Sequence, residues 1–296
     1  MGVLGVSTEA PSPVPLPAAG TERATEPATA RAREPLSRRM SAWFGRAWPP
    51  LLILAAAIGV WEGYTRWRNV DPTVLPPPST IVQSTIDDWA NIRTNSWVTL
   101  QETVAGLGLA ILAALVLGVV MDFIPWVRRG LYPIMVSSQT IPIVAIAPLV
   151  IIWFGFGLFP KVLVVAFYTF FPIVVGLSQG LAGTDPDAMN LLRSMRASRW
   201  QIFWRVRFPS ALPQFFTGLR ITVTYAVVAA VFAEYVGSFE GLGIYIQQMR
   251  NAFRTDLVFS AVLATMVLTL ALFALVLIAE RLAMPWHRSA KREEGW

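Results

Sequence analysis

Runs of 18 or more mostly apolar residues recur along this chain, each long enough to cross the hydrocarbon core of a bilayer as a helix. Of 296 residues, 55% are hydrophobic and 14% charged, which is too apolar for a soluble domain of this length. A spanning chain has few architectures open to it, because every backbone polar group must be paired within the bilayer. The pattern therefore predicts an all-α membrane protein with six transmembrane helices. They are placed at about 47–64, 97–124, 131–154, 162–181, 214–236 and 257–284. A short amphipathic helix over 81–92, capped by Ser79 or Thr80, is expected at the interface after the extended linker DPTVLPPPST. GFGLFPK, residues 155–161, and GSFEGLG, residues 237–243, read as turns. An amphipathic segment over 244–253 follows the second of them. Pro133, Pro142 and Pro148 predict a kink in the third span.

The net charge is +6, and nearly all of the positive charge is arginine. On a soluble protein such a balance points to nucleic acid. Here the arginines sit in short loops beside apolar segments, so topology accounts for them and no nucleic-acid partner is expected. With both termini inside, inner segments carry 18 basic residues and outer segments 6. That bias predicts two cytoplasmic termini. Residues 1–46, rich in Ala, Pro, Thr, Glu and Arg without an apolar h-region, read as a disordered cytoplasmic tail rather than a signal peptide. Residues 47–285 read as the transmembrane domain, and 286–296 as a short cytoplasmic tail. The chain has no Cys and one His, His287, so no metal site is expected. Trp286 beside it reads as an interfacial anchor.

The stretch 184–213, TDPDAMNLLRSMRASRWQIFWRVRFPSALP, interrupts the apolar pattern with Arg193, Arg196, Arg199, Arg205 and Arg207. It reads as helix–turn–helix. Asp185 or Asp187 caps the first helix, Arg196-Ala197-Ser198 makes the turn, and Ser198 caps a second helix, 199–207, that ends before Pro209. Met189, Leu192 and Met195 share one face of the first helix. Trp200, Phe203, Trp204 and Val206 offer apolar knobs with an Arg rim, a form suited to a groove on a partner. The same features also fit a helix lying on anionic lipid.

This stretch resembles the cytoplasmic EAA loop of bacterial ABC-importer permeases. The family's acidic-Ala-Ala triplet is replaced here by Asn190-Leu191-Leu192, and its Gly by Arg196, which meets a positive φ at a cost. The end Val206-Arg207-Phe208-Pro209 follows the family pattern. LPPPSTIVQ, IAPLVIIWFGFGLFPK, FPIVVGLSQGL and AEYVGSFEGLGIYI resemble segments of the nitrate/sulfonate/taurine branch. RSMRASRWQIFWRVRFPSALP looks most like permeases for hydroxymethylpyrimidine-type thiamine precursors. The resemblance covers most of residues 50–285 and implies a type I ABC-importer fold whose coupling loop is 184–213. It also implies an ABC ATPase subunit as partner, an extracytoplasmic solute-binding protein, a permease homodimer and a place in the bacterial inner membrane. On this reading Asn190, Leu191, Leu192, Met195, Arg196, Ala197, Ser198, Arg199, Trp200, Phe203 and Pro209 form the ATPase-docking loop. The substrate is expected to be a thiamine-precursor pyrimidine, with a sulfonate, taurine or nitrate as alternatives.

No GxxxxGK[ST] loop is present, so ATP and Mg belong on the partner subunit and this chain binds no cofactor. Polar residues within the spans are candidates for the translocation path: Gln139, Thr140, Tyr168, Thr169, Thr224, Tyr225 and Glu234. For each Ser or Thr the competing reading is a hydroxyl bonded to its own helix. Glu102 reads as a cap or surface group. An intramembrane enzyme would need a nucleophile–base pair or paired carboxylates within the bilayer. No His lies in a span and the acidic residues fall near helix ends, so no catalytic residue is expected. An ATP-independent channel is the rival transport class, but it has no use for a long docking loop.

Overall fold

The computed structural model describes residues 36–285, with side chains from Trp48 onward. The chain divides into two compact units, Met1–Ala55 and Ala56–Trp296, and every predicted site residue belongs to the second. Among the described residues all regular structure is helical. The helices are α1 Leu36–Trp67, α2 Pro78–Asp87, α3 Trp89–Phe123, α4 Pro125–Ser138, α5 Ile143–Phe154, α6 Leu158–Ala182, α7 Pro186–Ser194, α8 Arg199–Ile202, a π-helical turn Phe203–Arg207, α9 Phe208–Gly237, α10 Leu242–Asn251 and α11 Thr255–Ala283. Helix α1 starts inside the predicted tail, at Leu36. Most of that tail, and His287 with Trp286, lie outside the described residues.

Four helical stretches are long and apolar enough to cross a membrane: α3, α6, the continuous Arg199–Gly237 and α11. The pair α4–α5 makes a fifth if counted as one broken span. The first predicted span lies on α1 but is not in this set, because Pro49, Pro50, Glu62 and Tyr64 dilute its apolar run. The third predicted span is two helices bent by 106°. Pro142 is the break: it has no N–H to give, and its ring disfavours α-helical geometry at Ile141. Pro133 and Pro148 are absorbed within α4 and α5.

The predicted cap at Ser79 or Thr80 is not formed; α2 opens on Pro77 and Pro78 instead. Ser79 is engaged elsewhere, its N–H and hydroxyl donating to Glu62 at 3.0 and 2.8 Å. That contact ties the linker to the end of α1, and Asn69, with φ 46°, closes that helix.

The core lies where α6 packs against α3 and α9, with Val174, Leu177, Ala211, Val223 and Val227 buried. Small residues let the backbones meet. A Cβ on Gly176 would stand 2.7 Å from the Gln214 carbonyl, and one on Gly218 would stand 2.6 Å from the Pro172 carbonyl. Close approach of this kind substitutes for the hydrophobic drive that lipid does not supply between helices.

Candidate functional site

The loop predicted as helix–turn–helix has that form, and its local chemistry explains why. Asp185 caps α7 by accepting from the Asp187 N–H at 2.9 Å. Ser198 and Gln201 form a reciprocal capping box at the start of α8. Between them Arg196 takes φ 58°. Its N–H donates to the Arg193 carbonyl at 2.9 Å, and the Ala197 N–H to the Leu192 carbonyl at 3.0 Å. These two bonds are a Schellman closure of α7, with arginine at the position glycine favours. Left-handed backbone costs a non-glycine residue about 1–2 kcal/mol. Arg196→Gly should therefore raise the thermal midpoint of the purified protein by about 2 °C, the gain being partly offset by glycine's freedom in the unfolded chain. A lowered midpoint would mean that the Arg196 side chain contributes more than its backbone costs.

The second loop helix does not end before Pro209. It runs through Pro209 and Pro213 into α9 as one helix from Arg199 to Gly237. The wider π turn makes this possible: the Phe208 N–H reaches back to the Phe203 carbonyl, which shifts the ladder just before the proline. Phe203, predicted as an exposed knob, is 1% exposed. It packs on Phe123 of α3 (5.5 Å between ring centroids), Trp200 (5.9 Å) and Trp204 (5.4 Å). Phe203 therefore anchors the loop to the bundle and is unavailable to a partner. Arg207 adds a polar anchor, pairing with Asp122 at the end of α3 (2.7 Å) and donating to the Leu181 carbonyl at the end of α6 (3.0 Å). Leu191, Met195 and Trp200 remain exposed, at 63%, 70% and 55%. Asn190 accepts from Arg193 at 3.2 Å, Leu192 is half-buried, and Arg199 lines a groove beside Asp122 and Arg193.

A second feature is a cavity of about 450 Å³ between the α4–α5 break, α6 and α9. Of the predicted path residues, Gln139, Tyr168 and Tyr225 line it. The two tyrosine rings meet edge to face, 6.4 Å apart. Thr140, Thr169 and Thr224 are spent locally, on the carbonyls of Ser137, Val165 and Ile221 at 2.7, 2.7 and 2.6 Å. Ser138, Gln179, Gln214 and Thr217 complete the polar lining. Their signal in the sequence is the uncharged amide inside an apolar run, at GLSQGL and LPQFF.

Glu234 does not reach this cavity. With Glu102 it is fully buried at the other end of the helices, so neither carboxylate is solvated, and Glu102 caps no helix. Glu102 pairs with Lys161 of α6, whose ammonium also donates to Ser238 at 2.9 Å. Glu234 accepts from the Thr99 hydroxyl at 2.7 Å and from the Gly243 N–H. Thr99 accepts in turn from the Leu242 N–H at 2.9 Å, and Asn95 from the Gly241 N–H at 2.8 Å. The cluster thus fastens the start of α10 to α3, α6 and α9. The run EYVGSFEGLG held its signal: Glu234, followed seven and nine residues on by the glycines that must pass against it. Gly241, at φ 120°, and Gly243 leave no room for a Cβ beside Glu234.

Long apolar helices around a cavity, joined without a break to an exposed helical loop, have the form of a membrane transport component. The chain belongs to the family of binding-protein-dependent transport system inner membrane components, which it matches over residues 106–284, and within it to the ABC-importer permeases of the nitrate/sulfonate/taurine branch. It is 36% identical over 244 residues to the formylaminopyrimidine transport permease protein ThiX of Halalkalibacterium halodurans, covering 82% of this chain and 97% of that one. It is 28% identical over 262 residues to the taurine transport system permease protein TauC of Escherichia coli, covering 86% and 93%. Among solved structures it is similar to an inward-facing form of the MetNI methionine ABC transporter, with a TM-score of 0.50 at 22% identity over 64% of this chain and 96% of that one. That likeness supports the type I importer fold.

Proposed function

We propose that this chain forms the translocation path for a thiamine-precursor pyrimidine in an ATP-driven, binding-protein-dependent importer of the inner membrane. The observation that carries the substrate is the 36% identity to a formylaminopyrimidine permease, over 82% of this chain and 97% of that one. The match to a taurine permease is weaker, at 28%, and keeps an alkyl sulfonate as the second reading.

In this reading two copies of the chain face each other across the path, both termini are cytoplasmic, and an ABC ATPase subunit holds the ATP and Mg. The ATPase docks on the α7–α8 loop through Leu191, Met195 and Trp200, with Arg193 and Arg199 at the rim. Closure of the ATPase pulls this surface, and the continuous helix from Arg199 carries the pull to Gln214 and Tyr225 at the cavity. Phe203 and Arg207 transmit it sideways to α3 and α6. The outcome is rigid-body alternating access around a central site.

Reconstitution of the permease with its ATPase and binding protein tests this. Hydroxymethylpyrimidine should stimulate ATP hydrolysis, while taurine and nitrate should not. Stimulation by taurine alone would replace the pyrimidine reading with the sulfonate one. Solute leak without ATP would overturn the importer mechanism.

A further inference from the structure

The cavity between the α4–α5 break, α6 and α9 holds three glutamine side chains, two tyrosines and two phenylalanines, and among the described residues no charged one lines it. Gln139, Gln179, Gln214, Thr217 and Tyr225 are exposed in the single chain. Amides on spanning helices are costly where they meet lipid, at several kcal/mol for each unpaired polar group. An aqueous path between the helices would satisfy them. Among the described residues, the side-chain amides of Gln139 and Gln214 have no hydrogen-bond partner, and Gln179 has only a marginal one, Tyr132 at 3.5 Å. Three amides are therefore free to bind something that passes.

We propose that this cavity is itself a solute-recognition site, selective for a neutral, planar nitrogen heterocycle and built against anions. The inference rests on the permease reading above and adds that the chain, and not its binding protein alone, discriminates. Two physical points carry it. Each glutamine amide donates and accepts, which matches the alternating ring nitrogens and exocyclic amine of an aminopyrimidine. The Tyr168 and Tyr225 rings, and the edge-to-face pair Phe167 and Phe171 at 5.0 Å, offer aromatic faces and edges to a flat ring.

The case against anions is equally specific. A sulfonate or nitrate keeps its charge at every accessible pH and, once desolvated, needs a cation or a shell made of donors alone. Among the described residues no cation lines the cavity, and its amides present carbonyl oxygens as well as N–H groups, which disfavours an anion. Arg220 reaches Thr217 at the cavity edge (3.3 Å), but its charge is already matched by Glu280 of α11 at 3.4 Å. The volume, about 450 Å³, falls within the range of small-molecule sites, roughly 300–1,000 Å³.

The test uses the permease–ATPase complex in nanodiscs without its binding protein. Binding of hydroxymethylpyrimidine, of taurine and of the net anion ethanesulfonate is read by saturation-transfer NMR. The pyrimidine should bind the wild-type complex and neither sulfonate should. Gln214→Leu and Tyr225→Ala should each weaken pyrimidine binding about tenfold, while Gln214→Asn, which keeps the amide, should retain most of it. Each variant is scored only as a single species eluting with its ATPase. Because Gln214 is exposed, its variants read the site even where Tyr225→Ala does not assemble. Equal binding of either sulfonate, no binding of the pyrimidine, or affinities unmoved by Gln214→Leu would each overturn the proposal. Calorimetry on the isolated binding protein separates this from failure of the importer reading. If that protein takes the pyrimidine and the complex does not, the cavity assignment alone is wrong; if it takes only taurine, the pyrimidine reading falls as well.

Discussion

Lys161→Met is expected to destabilise the folded permease by about 3–5 kcal/mol, the cost of leaving a buried carboxylate without its cation. Glu102 is wholly buried, and its second oxygen, Oε2, already has no partner. Removing the ammonium strips the first oxygen too, and also takes the hydrogen bond that Lys161 gives Ser238. The α9–α10 turn should loosen with it. The measurement is thermal unfolding in detergent, followed by size exclusion. Glu102→Met combined with Lys161→Met should recover most of the loss, because a buried ion pair replaced by apolar residues of similar volume is often neutral. The double-mutant cycle then isolates the pair. A single variant that melts with the wild type would show that the Glu102 charge is not held by Lys161.

Leu191→Asp together with Trp200→Asp should abolish co-purification of the ATPase and leave membrane insertion intact, with the permease melting somewhat lower because Trp200 also stacks on Phe203. Both side chains are more than half exposed, so neither change opens the core. Anchors of this kind contribute 2 kcal/mol or more each at interfaces, so losing two should weaken the complex by about a thousandfold. Phe203→Asp gives the contrast. It puts a carboxylate among Phe123, Trp200 and Trp204, and the permease itself should fail to fold. A complex that survives the double substitution would place the docking surface elsewhere.

What was legible in the residues was local. Apolar length marked α3, α6 and α11, and Asp185 and Ser198 announced their caps. Arg196 stood where positive φ was needed, and it adopts it. What was not legible depended on which way a residue faces. In a soluble helix the apolar stripe names the buried side, but a spanning helix is apolar all round. In FWRVR the π turn shifts the helical phase, so the pattern does not separate Phe203, which is buried, from Trp204, which is half exposed. Three prolines marked the third span, and only packing decides that Pro142 breaks it while Pro133 and Pro148 do not. Glu234 was legible as an unusual residue, but its partners arrive from other helices, on Thr99 and at the amide of Gly243.

The unbroken helix from Arg199 to Gly237 makes rotational phase a property of this protein. Between Trp200 and Tyr225 the axis runs about 38 Å with no loop to absorb a change of length. One residue inserted between Ser210 and Pro213 would turn everything beyond it by about 100°. Hydropathy, net charge and the exposed loop surface would all be as before, yet Ile221 and Tyr225 would face a different neighbour. Such an insertion would disconnect the two ends of the molecule without altering either, much as a camshaft fails when slipped by a tooth.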